Sequence, residues 1–456
     1  MQPRRPRFPA SGDCSAARRP LREDLIAQAG LEALALIRQD HWLADRALDF
    51  TLKRKRTLHS SERRAVADRV YDLLRRQITV DWLLARVRPH FESLSGSEKD
   101  LLRFAGCRVL SGERAELVAA ETRLVSPDAA ALRMIPAAAR DLSTLEPPAR
   151  LSIGGSIPPF LAEKFLADLG DEAEVAVAAM NQRAPLTVRA NTLRTTRAGL
   201  LDRLVGEGVW CRPTSLSPLG LALETRINAF SLASFKEGWF EIQDEGSQLL
   251  GMLVDAPPTV VVDACAGAGG KSLQISAQMK NRGELHAFDI DEARMADLKR
   301  RARRAGAHNI RTRLIPPVGA TASAAIADLQ RKADRVLVDA PCSGTGTFRR
   351  KPDARYRLSS ADLETHIRRQ TQLLRQFSEL VKPGGALIYG TCSILRDENE
   401  AVVEAFLQEN SRFSIQPAAS HLAPAVQTSI TRGPFMRVFP HQHGTDGFFG
   451  AVLRGS

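Results

Sequence analysis

From Val260 to Tyr389 the chain repeats one unit, a short apolar run that ends in a turn and hands over to an amphipathic stretch. Val260-Val-Val-Asp263 passes through a glycine cluster into a helix expected over 271–279, and Glu284-Leu-His-Ala-Phe-Asp289 leads to one over 292–305. A weaker strand at 310–315, a helix over 320–331, a strand at 336–338, a long helix over 361–381 and a strand at 386–389 continue the alternation. In the long helix Leu363, Ile367, Leu374, Phe377 and Val381 recur at helical spacing; Ser359 and Asp362 form a capping box, and Lys382-Pro-Gly-Gly385 stops it. A strand, a helix and another strand in succession close almost always as a right-handed crossover between parallel strands. The expectation is an α/β, doubly wound, Rossmann-like parallel sheet, which binds ligands outside the carboxyl ends of its strands.

Upstream the pattern changes. Leu31, Leu34, Ala35 and Arg38 begin one helical stripe; Val66, Val70, Leu73 and Leu74 form another, expected to end before Ile78-Thr-Val80. Further helices are expected over 99–110, after the polar Ser95-Gly-Ser97, and over 115–124. Strand signals are nearly absent, so residues 21–148 read as an all-α domain, closed by a linker at Pro147-Pro148 and Gly154-Gly155. Residues 149–229 mix helices (158–169, 175–180, 195–207) with strands at Leu186-Thr-Val-Arg-Ala-Asn191 and Val209-Trp-Cys211, a compact α+β module. The sheet domain then occupies 230–456, and residues 1–20 read as a basic, flexible arm opening Met1-Gln-Pro-Arg-Arg-Pro-Arg7.

Lys and Arg outnumber Asp and Glu by 64 to 52 in 456 residues, a net charge of +12 that favours a polyanionic partner. No apolar stretch approaches the roughly 18 residues of a membrane span. The six cysteines (14, 107, 211, 265, 342, 392) form no C-x-x-C pair and no zinc-like spacing with histidine; His441 and His443, without further ligands, read as structural. A cytoplasmic monomer with free thiols, no metal and no membrane contact is expected.

The turn Asp263-Ala-Cys-Ala-Gly-Ala-Gly-Gly-Lys-Ser272 resembles two nucleotide motifs and satisfies neither. A phosphate-binding P-loop needs glycine where Cys265 stands, and a dinucleotide fingerprint needs glycine where Ser272 stands. What remains is a backbone that a ligand can approach closely, at a helix amino terminus. Asp289 ends the next strand, where a carboxylate can accept hydrogen bonds from ribose hydroxyls. An adenosyl ribose without phosphates fits, which favours S-adenosylmethionine over dinucleotides and nucleotides. Asp263 fits equally well as a cap for the loop amides.

Two cysteines follow successive strands: Cys342 in Asp339-Ala-Pro-Cys-Ser-Gly-Thr-Gly346 and Cys392 in Tyr389-Gly-Thr-Cys-Ser393. Beside a methyl donor, a thiol solves one problem: carbon 5 of a pyrimidine is a poor nucleophile until a thiolate adds to carbon 6. A base must then take the carbon 5 proton. An acid facing ring nitrogen 3 would stabilise the developing charge, and Asp339, three residues before Cys342, is placed for that.

These cysteine motifs, with Glu398-Asn-Glu400 and Cys265-Ala-Gly-Ala-Gly-Gly-Lys-Ser272, resemble those of the Sun-domain RNA (cytosine-5) methyltransferases, most closely the bacterial 16S ribosomal RNA type. The resemblance runs from Pro158 to the carboxyl terminus, through Gln243-Asp-Glu-Gly-Ser-Gln248 and Gly444-Thr-Asp-Gly-Phe-Phe449; the helical amino-terminal region is similar, more weakly, to the NusB-type RNA-binding fold. It implies a class I methyltransferase domain acting on RNA, with Cys392 as nucleophile and Cys342 assisting breakdown of the covalent adduct. It also implies that Cys265, Ala266, Gly267, Ala268, Gly269, Gly270, Lys271, Asp289 and Asp339 contact S-adenosylmethionine, Asp339 reaching the target base as well. DNA enzymes of similar chemistry use the cysteine of the Pro-Cys motif, so the division of labour between the thiols rests on the resemblance.

Two positions depart from the family pattern. Ala268 replaces the usual proline of the cofactor loop, and Leu314-Ile-Pro-Pro-Val-Gly319 lacks the aspartate expected to bind the adenine amino group. Phe348-Arg-Arg-Lys-Pro352, basic and next to the Cys342 loop, is expected to grip phosphates of a flipped-out strand. Two other readings stand beside this one. DNA cytosine methylation would require a large target-recognition insertion that the sheet motifs do not contain, and a non-catalytic RNA-binding or assembly factor would leave the cysteine pair without a purpose.

Overall fold

The computed structural model describes residues 20–456, in two compact units, 1–144 and 145–456. Cys14 and all but the last residue of the expected basic arm lie outside the described residues.

The described part of the first unit is helical throughout. Its helices are Glu23–Arg38, Ala44–Arg54, Ser60–Val87, Gly96–Leu110, Ala115–Glu121 and Ser126–Ala138. Ser95 caps the fourth through a reciprocal pair with Glu98, whose Oε2 accepts the Ser95 amide at 2.9 Å. The stripe Val66, Val70, Leu73, Leu74 packs with Ile26, Leu34, Leu84 and Phe104 in one core. Ser60–Val87 does not stop at Ile78-Thr-Val80 as the sequence suggested. Thr79 and Val80 are buried, and that packing outweighs the small helix penalty of β-branched residues.

In the second unit, helices Pro147–Gly155, Pro159–Leu169 and Ala173–Met180 precede a small antiparallel sheet. Its strands are β1 (Leu186–Ala190), β2 (Cys211–Pro213), β3 (Gly220–Leu223) and β4 (Phe240–Ile242), in the order β2-β3-β1-β4, with helix Arg197–Gly206. The large sheet follows: β5 (Val260–Asp263), β6 (Glu284–Asp289), β7 (Ile310–Leu314), β8 (Ala333–Asp339), β9 (Val381–Thr391), β10 (Phe413–Gln416), β11 (Thr431–Arg432), β12 (Phe435–Val438) and β13 (Phe448–Gly455). Its order is β11-β12-β13-β9-β8-β5-β6-β7, with β10 on β13.

Strands β5 to β9 are parallel neighbours, as the alternation predicted. The remainder is antiparallel: β13 runs against β9, pairing Phe449 with Thr391 and Arg454 with Ala386. The sheet is therefore mixed rather than purely parallel: β13 follows β12 through a short connection, while β9 reaches β10 through helix Glu400–Glu409. Along β5, Val261 faces one apolar layer with Leu249 and Ile275, and Val262 the other with Phe377 and Leu387, so both sheet faces are covered. The long helix, Ser360–Ser378, ends earlier than expected, and Lys382-Pro-Gly-Gly385 lies inside β9, where the register against β8 shifts. The chain leaves β5 towards β6 and β7, then returns to β8 on the opposite side. That reversal opens a crevice at the carboxyl ends of β5 and β8.

Candidate active site

Four segments converge on this crevice. The turn after β5 is held open by Gly267 (φ +55°) and Gly269 (φ +88°), left-handed conformations that a side chain resists. A Cβ on Gly269 would stand 2.7 Å from Leu298 Cγ, whereas Gly267 and Gly270 face open space. The Ala266 amide donates to the Phe288 carbonyl at 2.8 Å, and Arg301 Nη1 donates to the Ala268 carbonyl at 2.7 Å, so a cation braces the loop where proline was missing. Cys265 packs against the apolar layer, and burial pushes its thiol well up, which removes it from thiolate chemistry. Asp263, also buried, is pushed up to about 7 and accepts from Ser272 Oγ at 2.6 Å.

Asp289, at the end of β6, accepts the amides of Gly267 at 2.7 Å and Asp291 at 2.9 Å, one on each oxygen. Each oxygen keeps acceptor capacity for a hydroxyl. Beside it, Ile290 and Leu314 are 59% and 52% exposed, and Leu314 pairs in register with Asp289. These two apolar side chains stand where the sequence lacked an adenine-binding carboxylate. Sequence reasoning missed them, since an exposed aliphatic residue carries no signal until its neighbours are known.

Lys271 begins helix Gly270–Gln278 and reaches across to β8, its Nζ 2.6 Å from Asp339 Oδ2 and 5.4 Å from the Phe448 ring centre. Past Asp339, the loop after β8 brings Cys342 Sγ to 3.3 Å from Cys392 Sγ. The Cys342 thiol is pushed well above its ordinary value, first by its hydrogen bond with Cys392, then by burial, with the Glu398 charge adding.

Buried Glu398 fixes this loop. It accepts the Ser343 amide at 2.8 Å, the Ser343 hydroxyl, and Gln370 Nε2 at 3.0 Å. Asn399 accepts from Thr391 Oγ1 at 2.6 Å and donates to the Ser393 carbonyl at 3.0 Å, which sets the backbone around Cys392. Both residues lie in the Glu398-Asn-Glu400 motif; the partners of Asn399 are close in sequence, but those of Glu398 are remote and could not be read from it.

The basic stretch after Cys342 is not the phosphate grip expected. Phe348 is fully buried; Arg349 and Arg350 pair with Asp446 at 2.7 and 2.5 Å, and Arg350 with Asp244 at 2.7 Å. These cations neutralise two buried carboxylates from the Gln243–Gln248 and Gly444–Phe449 motifs. Arg349→Ala is expected to cost about 3 kcal/mol by leaving Asp446 poorly paired, read as a lower urea midpoint. His441 and His443 are likewise structural, bonded to Glu172 at 2.8 Å and to the Phe439 amide at 2.9 Å. Among the described residues no group of three or more His, Cys, Asp or Glu could hold a metal, and no described helix is long and apolar enough to cross a membrane.

A family profile described as 16S rRNA methyltransferase RsmB/F matches residues 252–454, and one described as Methyltr_RsmF/B-like, ferredoxin-like domain matches 157–229. Ribosomal RNA small subunit methyltransferase B of Xylella fastidiosa (strain 9a5c) is 35% identical over 298 residues, covering 65% of this chain and 68% of its own. The chain belongs to the 16S rRNA methyltransferase RsmB/F family. The protein of the same name from Xanthomonas campestris pv. campestris is 32% identical over 297 residues, 65% of this chain and 66% of its own. Among solved structures, PH0851 is similar at TM-score 0.76 and 27% identity, covering 95% of this chain and 99% of that one. A methyltransferase homolog from Pyrococcus horikoshii gives 0.57 and 26%, over 68% and 100%.

As an RsmB/F methyltransferase the chain uses S-adenosylmethionine as methyl donor to RNA. The crevice fits that donor: an open glycine face, a ribose-ready carboxylate and exposed apolar side chains beside it.

Proposed function

We propose that this enzyme methylates carbon 5 of a cytosine in 16S ribosomal RNA through a transient bond between Cys392 Sγ and carbon 6. The observation that carries the reading is the sulfur pair, 3.3 Å apart at the crevice. The assignment of Cys392 as nucleophile and Cys342 as its helper follows the family motifs.

The bound donor supplies an electrophilic methyl group on a sulfonium. Residues 265–271 and Asp289 would hold it, and the exposed Ile290 and Leu314 would offer an apolar surface to its adenine. The Asp339–Lys271 pair faces the base: the carboxylate accepts from the exocyclic amine, and the ammonium donates to nitrogen 3 as charge develops there. Cys392 Sγ bonds to carbon 6, which makes carbon 5 nucleophilic towards the methyl group. Once Cys392 is bonded to carbon 6, Cys342 gives up its proton to water, and its thiolate takes the carbon 5 proton, directly or through one water, as the carbon–sulfur bond breaks. Cys392 leaves as a thiolate. The ring regains its double bond, and the net proton released is the one given to water.

The test is incubation with methyl-labelled donor and 16S RNA from a strain lacking the enzyme, then nuclease digestion. Label in 5-methylcytidine is expected; label confined to any other nucleoside refutes the proposal.

A further inference from the structure

The first unit carries a ladder on one helix and its approach: Trp42, Arg46, Phe50 and Arg54, each four residues from the last. At that spacing the four side chains share one face. The Arg46 guanidinium lies 4.6 Å from the Trp42 ring centre and that of Arg54 5.2 Å from Phe50, while the two rings meet edge to face at 5.2 Å. They line a shallow recess of about 570 Å³ with Asp49, Lys53 and Arg56. Phe50 is 40% exposed, although Trp42 is anchored on the core.

Several arginines of the unit are matched by carboxylates. Arg69 pairs with Glu23, Arg103 with Asp81 at 2.5 Å, and Arg108 with Glu121 at 2.5 Å. Lys53 pairs with Asp49 at 2.7 Å, but among the described residues no carboxylate pairs with Arg46, Arg54 or Arg56. Cations in the last helical turn suit the helix dipole. That accounts for Lys53 and Arg54, but not for Arg46 in the first turn or for the interleaved rings.

We infer that this ladder is a docking site for a single-stranded segment of the RNA substrate, its bases stacking on Phe50 and the guanidinium planes and its phosphates meeting Arg46, Arg54 and Arg56. Rings stack on any base and arginines track the backbone, a pairing that suits unpaired RNA and not a duplex. The inference rests on the RNA reading above.

The test uses the full chain without donor and a fluorescent oligouridine of about twelve nucleotides. Arg46→Glu with Arg54→Glu, both on exposed side chains, is expected to weaken binding tenfold or more. It should also flatten the slope of log affinity against log salt by about 1.4, two phosphate contacts on a single strand. Phe50→Ala should weaken binding about tenfold, and Arg140→Glu, exposed elsewhere in the unit, should change nothing. With 16S RNA the double variant should raise KM and leave kcat intact. Unchanged oligouridine binding by the double variant overturns the inference, as does equal competition by an RNA duplex. So does a variant that loses small-subunit particles while keeping oligouridine, which would mark a protein-docking face. If the wild type binds oligouridine through the ladder yet makes no 5-methylcytidine, the proposed chemistry fails and the docking site stands.

Discussion

Cys392→Ala is expected to lower kcat by roughly 10⁴-fold or more, since it removes the proposed nucleophile. No covalent species should form with this variant. Cys342→Ala should also lose turnover but for the opposite reason: addition and methyl transfer proceed, while proton removal and release of Cys392 stall. The expected product is a protein–RNA band that survives a denaturing gel and carries labelled methyl. The two sulfurs are 3.3 Å apart, so either could reach the base, and geometry alone does not separate them. The gel does, because only the variant that keeps the nucleophile can trap the adduct. A persistent band from Cys392→Ala, with none from Cys342→Ala, would exchange the two roles.

Asp339→Asn should lower kcat by about 10²- to 10³-fold, the range for removing one group that stabilises developing charge. The change preserves shape but removes the charge that holds Lys271 Nζ at 2.6 Å, so the ammonium loses its aim at nitrogen 3. Because the pair also borders the donor crevice, donor affinity must be measured separately by calorimetry. The expected outcome is a kcat loss well in excess of any loss of donor affinity. Equal losses in both would assign the pair to holding the donor rather than to the chemistry.

What could be read from the sequence was what is local. Alternating strands and helices gave the parallel half of the sheet, and the ends of those strands gave Cys342, Asp339 and the glycine turn without any long-range knowledge. The antiparallel half stayed hidden because Phe448–Gly455 has no helix beside it to mark its place, and its partner β9 lies far earlier in the chain. Arg349 and Arg350 were misread for the same reason. A cation run looks solvated until Asp446 and Asp244 are known to stand against it. Likewise, nothing near Ser343 in sequence reveals that a carboxylate 55 residues on accepts its amide. The ion-paired arginines and the Glu398 anchor are contacts of topology, and no spacing rule reports them.

The place of β13 has a consequence for biosynthesis. This strand inserts between β9 and β12, and its approach brings Gly447 against Gly346 and Asp446 onto Arg349, in the loop that carries Cys342. During translation the donor turn, β8 and both cysteines therefore emerge before the segment that clamps them. A nascent chain can gather β5 to β9 and the Glu398 and Asn399 contacts around its two thiols first, and the Asp446–Arg349 pair and the Gly447 contact close only when the late strand threads into the gap. Chains that stall short of it should be catalytically silent rather than partly active.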